Sequence, residues 1–333
     1  MVIIQISFTI IINNKDTQYM KRRSFLSKSI ISGLGMTLVG DLPIKASAFV
    51  NEKNKSKIVL RFSVCTDLHQ DLINDGPRRL QEFINEMNLL NPDFILQNGD
   101  FCTPKPANKV IMDIWNQFKG PKYHVIGNHD TDGGFTYDNV TGFWNAKGNH
   151  YSFDHNNYHF VVLNGNERPT NDTVKGYPRS ITHEQLNWLK QDLDASKSPV
   201  IVFCHQGIDN DMDGINEGDQ VRIIFERANQ KAGFKKVRLV ISGHHQEDYL
   251  NVYNGINYLQ INSISYQFNH LKTGYSFALA KEPLWAFITV YADGSIAVKG
   301  KQSSYIDPIS ANDLRDWDGY PTVPTISDRT IAI

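Results

Sequence analysis

Five short polar groups in this sequence each follow an apolar run of strand length. Thr66-Asp67-Leu68-His69 follows the run through Leu60, Phe62 and Val64, and Asn98-Gly99-Asp100 follows Phe94 to Gln97. Gly127-Asn128-His129-Asp130 follows Tyr123 to Ile126, Cys204-His205 closes a run from Val200, and Ser242-Gly243-His244-His245-Gln246 follows Val237 to Ile241. Asp, Asn and His offer oxygen and imidazole donors, suited to Mn, Fe, Zn or Mg rather than to thiolate-type metal sites. Taken singly each group is ordinary, since a Gly-Asp pair commonly marks a turn. Five of them in this order, each closing an apolar run, make a set. Asp67 and His69 are two apart, which in extended backbone turns both side chains the same way.

The elements that must carry these groups alternate. Ile58, Leu60, Phe62 and Val64 have the period of a half-buried strand. Asp75-Gly76-Pro77 offers a helix start, and Leu80, Phe83, Ile84 and Met87 follow on one helical face. Phe94 to Gln97, Tyr123 to Ile126, His159 to Leu163, Val200 to Cys204 and Val237 to Ile241 are strand candidates. Thr182-His183-Glu184-Gln185 fits a capping box ahead of Leu186, Leu189 and Leu193. A further helix runs through Val221, Ile224, Phe225 and Ala228. After His244 the pattern is strands only: Tyr258 to Ile264, then Trp285 to Tyr291 and Ser295 to Val298 as a hairpin around Asp293-Gly294. The Pro-, Asp- and Ser-rich tail from Asp307 reads as a surface wrap. In open α/β sheets ligands gather at the carboxyl ends of the strands, which is where the five groups fall.

The order Asp-x-His, Gly-Asp, Gly-Asn-His-Asp, His, Gly-His resembles the calcineurin-like metallophosphoesterase family over roughly residues 58 to 300. The resemblance implies a four-layer αββα sandwich: two mixed β-sheets flanked by helices, with a two-metal site at the carboxyl ends of the strands. It implies that Asp67 and His69 hold one divalent ion with Gln246, that Asn128, His205 and His244 hold a second, and that Asp100 bridges both. His129 would face the substrate as catalytic acid. Two cations about 3.5–4 Å apart lower the pKa of a bridging water and neutralise phosphoryl oxygens during in-line attack. The implied reaction is hydrolysis of a small phosphodiester or phosphomonoester by a metal-bridged hydroxide. The segment Tyr151-Ser152-Phe153-Asp154 through Leu163 also resembles the family's exported phosphatase branch, less specifically.

Two departures bear on that assignment. Gln246 stands where the family ends in Gly-His-x-His, and a neutral amide oxygen is a weaker ligand than imidazole. His245 should point away from His244 and Gln246 in extended backbone. A loosened first site favours diesters, which bring one negative charge rather than two. It also opens an alternative, a non-catalytic, metal-stabilised binding protein on the same scaffold. The second departure is Thr103, where relatives carry an Asp that orients the catalytic histidine or a Tyr that ligates iron. Asp130 adjoins His129 in sequence, which by itself establishes no contact between their side chains. Cys65, Cys102 and Cys204 lie beside proposed ligands and read as small apolar residues filling strand ends, with no disulfide assigned. Arg168, Lys175 and Arg179 are candidate phosphate contacts against a background of solvated loop cations, and His150, His155 and Tyr177 have no assigned role.

Composition narrows the rest. With 333 residues and 41% hydrophobic content the chain can bury a large core, and disorder is excluded as its main state. Lys and Arg number 34 against 35 acids without a basic stripe, so no nucleic-acid partner is expected. No apolar run reaches the roughly 18 residues of a membrane span. Residues 1–48 read as an export signal: Lys21-Arg22-Arg23-Ser24-Phe25-Leu26 resembles a twin-arginine motif, Ile30 to Gly40 is mildly apolar, and Ala46-Ser47-Ala48 fits a cleavage site. Met20 is the expected true start. Cleavage would leave residues 49–333 with 28 basic against 33 acidic residues, a periplasmic protein of charge −5. Oligomeric state is not written in these patterns.

Overall fold

The alternation of Leu60, Phe62 and Val64 becomes strand β1 (Ile58–Cys65) in the computed structural model, which describes residues 57–170, 173, 175–209, 214–271, 274–307 and 323–332. These lie within one unit, Asn54–Ile333. The export signal and Met20, and most of the tail beyond Asp307, fall outside the described residues. In chain order β1 is followed by α1 (Gly76–Leu90), β2 (Phe94–Asn98), α2 (Lys109–Trp115), β3 (Lys122–Val125), α3 (Tyr137–Trp144), β4 (Tyr151–His155) and β5 (Tyr158–Val162). Then come α4 (His183–Ala195), β6 (Val200–Phe203), α5 (Gly218–Ala232), β7 (Val237–Ser242), β8 (Tyr249–Tyr253) and β9 (Ile256–Gln260). The chain continues through β10 (Tyr266–Leu271), β11 (Gly274–Leu279), β12 (Ala286–Tyr291), β13 (Ile296–Gly300) and β14 (Arg329–Ile331).

Among the described residues two six-stranded mixed sheets form, in the orders β14-β13-β12-β1-β2-β3 and β4-β5-β6-β7-β9-β8, and β10 and β11 pair only with each other. β1, β2 and β3 are parallel, as are β5, β6, β7 and β9. Between the sheets lies a core of Leu60, Phe62, Val64, Phe94, Phe160, Phe203, Leu239, Ile241 and Ile288, all below 1% exposed. α1, α2 and α3 cover the outer face of the first sheet through Phe83, Met87, Trp115 and Trp144. α4 and α5 cover the second through Leu189, Leu193, Val221 and Phe225. The layers are helix, sheet, sheet, helix, as expected. Strands sandwiched in this way are buried on both faces, so the carboxyl half of β1 is fully buried rather than half-buried.

Two local expectations change. Thr182 caps α4 by accepting from the Gln185 amide at 3.4 Å, but Gln185 does not reach back to complete a box. Its side chain pairs with the Asn164 backbone, and the Thr182 amide donates instead to Glu167 Oε2 at 2.8 Å. The reciprocal box forms on α3, between Thr136 and Asn139. The strand expected to reach Ile264 ends at Gln260, because the next residues turn so that Ser263 and Ser265 donate to the Asp67 carbonyl at 2.9 and 2.8 Å.

Candidate metal centre

Asp67 and His69 do not sit in extended backbone. Their φ angles are +56° and +50°, in the left-handed region, and Asp100, His244 and Gln246 share it at +51°, +63° and +55°. Asp and His tolerate this region better than branched residues do. The loops are held there from both sides: the Asp67 amide donates to the Gly99 carbonyl at 3.0 Å and the His69 amide to the Asp100 carbonyl at 2.8 Å. Gly127 is required by close approach, since a Cβ there would lie 2.2 Å from both the amide nitrogen and Oδ1 of Asp100. Gly99, at φ +97°, leaves room for the His205 ring, 2.4 Å from where its Cβ would stand.

Around these loops the polar groups converge from both sheets. The metal-capable atoms of His69, Asp100 and His129 lie within 4.8 Å of one another, as do those of Asp100, His205 and His244. Asp100 belongs to both groups. Its Oδ2 is 3.1 Å from His205 Nε2 and 3.6 Å from His69 Nε2, and its Oδ1 accepts from the His129 amide at 2.8 Å. Asp67 Oδ1 is 3.4 Å from His69 Nε2, and Oδ2 accepts from the His244 amide at 3.1 Å. His205 Nδ1 lies 2.8 Å from the Asn98 carbonyl, which can only accept; that fixes the tautomer and leaves Nε2 as a donor atom. Asn128 Oδ1 and Gln246 Oε1 are buried without a hydrogen-bond partner. Buried orphan lone pairs are costly, and a divalent cation would satisfy them, so the residues present fit such an ion. Gln246 is less simple: Nε2 of its amide is 3.1 Å from His69 Nε2 and donates to Asp67 Oδ1 at 3.4 Å. Ligation through Oε1 would need the amide turned over.

Charge follows this geometry. Burial would raise the Asp100 carboxyl, but His205, His69 and His129 outweigh it and hold the group well below the usual range. Burial would lower His205, yet Asp100 and Asp67 push it up to about 10. His244 is driven well down by burial and by the His205 charge.

His129 is anchored by residues that sequence spacing did not single out for it. Its Nδ1 is 2.7 Å from Asp132 Oδ2, and the Tyr177 hydroxyl lies 3.0 Å from the same nitrogen while donating to Asp132 Oδ1 at 3.0 Å. Tyr177 reaches His129 from 48 positions along the chain, so no local spacing could reveal it; Asp132, three residues on, was visible only as one more loop acid. Thr103 donates from its amide and hydroxyl to Asp71 at 2.8 and 2.9 Å. Asp130 collects the amides of Gly127, Asp100 and Phe101 at 2.7 to 3.0 Å, tying two ligand loops together. The three cysteines are buried free thiols, and burial pushes Cys204 up to about 12, consistent with packing. Arg168 donates to the Gly176 carbonyl and Arg179 to that of Gly214, while Lys175 is exposed. His150 and His155 sit against Glu167 and Asp93. His245 lies 3.5 Å from the Tyr249 hydroxyl.

Among the described residues no helix is long and apolar enough to cross a membrane. The chain is similar to a 3′,5′-cyclic-nucleotide phosphodiesterase from Nostoc sp., 25% identical over 228 residues, which cover 65% of this chain and 79% of that protein. Its fold is similar to that of a dimetal phosphatase from Danio rerio (TM-score 0.58, 15% identity, 76% of this chain and 100% of that one). It is also similar to GAP50, the anchor in the inner membrane complex of Plasmodium (TM-score 0.52, 17% identity, 78% and 89%). The model of the calcineurin-like phosphoesterase family matches residues 60–248, more than half of the sequence, and the chain belongs to that family.

Proposed function

We propose that the protein is an exported phosphodiesterase that uses two divalent ions. The observation that carries this reading is that Asp100 gathers His69 on one side and His205 with His244 on the other; His129, also in the first group, is kept as the acid. Asp67, His69 and Gln246 would hold one ion, Asn128, His205 and His244 the other, and Asp100 both. Bound there, the ions would supply a water of lowered pKa and neutralise charge on the phosphoryl oxygens. The chain's own residues do the rest. Asp100 fixes the spacing of the two sets of ligands. The Asn98 carbonyl keeps His205 Nε2 turned inward. Asp132 and Tyr177 hold His129 at Nδ1, so that its other nitrogen faces the leaving alkoxide and can protonate it. Proton donation of this kind is worth typically about 10²–10⁴-fold. Preference for diesters is supported by the weak donor Gln246 and by the phosphodiesterase named among the relatives. Export by a twin-arginine route, which carries folded proteins, would let the ions be inserted before transport.

The amide orientation of Gln246 favours one second reading, a non-catalytic, metal-stabilised binding protein. Elemental analysis of residues 49–333, refilled with manganese and freed of excess, separates the two. About two ions per chain, a diesterase activity lost about 10²–10⁴-fold in His129→Ala at unchanged metal content, and metal loss in Asp100→Asn are the expected results. One ion or none would put the binding protein first, and an active His129→Ala would remove His129 from the mechanism.

A further inference from the structure

An aromatic stripe leaves the metal centre along a hairpin that lies beyond the family match. β10 and β11 pair in the register Tyr266↔Leu279 and Phe268↔Phe277, so alternation puts Tyr266, Phe268 and Phe277 on one face. The Tyr266 ring, buried, is 4.9 Å from the His69 ring. Phe277 stands edge-on to Tyr266 at 4.9 Å, and Phe268 is 5.3 Å from Phe277. These two phenylalanines are 55% and 42% exposed. The hairpin's other face is pinned to the ligand loop: Gln267 donates to the Gln246 carbonyl at 2.8 Å and accepts from the Tyr305 hydroxyl. The His69 ring is also 5.2 Å from that of His129, which is 5.0 Å from the Tyr177 ring.

A cross-strand aromatic pair does stabilise a ribbon. That role alone does not require the pair to be exposed or to continue, ring by ring, to a proposed metal ligand. We propose that Phe268 and Phe277 form a platform for a planar ring in the organic part of the substrate, a nucleobase carried one sugar away from the phosphorus. The proposal rests on the hydrolase reading for where the phosphorus sits and adds the substrate class. The sugar spacer follows from distance: Tyr266 is buried against His69, so along this hairpin the first exposed ring face lies one ring contact further out. Stacking accepts every base, so the platform selects for a base without selecting which one.

The test is equilibrium dialysis of the manganese-loaded protein with adenosine 5′-monophosphate and, in parallel, with ribose 5-phosphate, which carries the same phosphate and sugar without a base. The wild type is expected to bind the nucleotide about tenfold or more tightly than the sugar phosphate, the range for one base on one aromatic face. In Phe277→Leu, which keeps an apolar residue in the ribbon, that ratio should fall toward one. Phe268→Leu serves as the second variant, with metal content as the check on folding. A wild type that binds the two ligands equally, or a ratio unchanged in both variants, overturns the platform. Because binding is read without turnover, the two ideas fail separately. A base preference in a protein that hydrolyses no ester keeps the platform and removes the hydrolase; hydrolysis without a base preference does the reverse.

Discussion

Five of the seven proposed ligands have left-handed backbone, with φ between 50° and 63°. Non-glycine residues keep that conformation only where their surroundings enforce it, and such positions cluster at functional sites. At this scale the residue types were legible from the sequence and their directions were not: side-chain alternation assumes extended backbone, and Asp67, His69, His244 and Gln246 all break it. Asp132 illustrates the same limit, since position 103 was the natural place to look for a carboxylate partner of His129. In Asp132→Asn the Nδ1 partner becomes neutral, and turnover should fall about tenfold, less than the full general-acid contribution. The loss should be larger for alkyl diesters than for p-nitrophenyl diesters, whose leaving group needs no proton; an equal loss for both would remove Asp132 from the positioning of His129. Gln246→His would place imidazole beside Asp67 and His69, and manganese should then leave more slowly under a chelator than it leaves the wild type.

Helices announced by a long period were readable, and short ones were not. α1, α4 and α5 have apolar faces spanning several turns, whereas α2 has seven residues and α3 eight with Gly142 inside it. β10 and β11 lean on each other rather than on a six-stranded sheet, so a core-facing pattern could not announce them. The loops that follow β1, β2 and β3 depend on contacts between elements rather than on their own composition. Gly127→Ala tests this: the added Cβ would meet the backbone of Asp100 as well as its carboxylate, and backbone cannot swing aside. Overpacking of this kind costs typically about 1–3 kcal/mol. Denaturant unfolding should show that loss together with reduced metal content, and normal content with normal stability would mean the loops are looser than their contacts imply.

At the scale of the whole molecule, the end of the chain returns to brace its middle. β12 inserts beside β1, β14 closes the same sheet, and Arg329 pairs with Asp248 at 2.6 Å, just past the ligand loop. Away from the metal centre, the His159 ring lies between Asp154 and Asp192 at 2.8 and 2.7 Å. Burial works against its charge, but the two carboxylates prevail and raise its pKa above the ordinary value. A group raised on folding stabilises fully below its unfolded pKa, about 6.5, and that stability fades as pH climbs through the folded value. His159→Asn should therefore lower Tm more at about pH 6 than at about pH 9. An equal drop at both values, in thermal scans, would show that the ring contributes packing rather than charge.

The sequence by itself determined the layered α/β pattern, the order of the five polar groups and the residue types able to hold metal. These follow from periodicity and donor chemistry, which are local properties of the chain. Only the tertiary structure decided that Asp132 and Tyr177 anchor His129, and that an aromatic hairpin borders His69. Each of these joins separate strands or loops, and hydrogen bonds and ring contacts between them depend on distances that spacing along a chain does not encode.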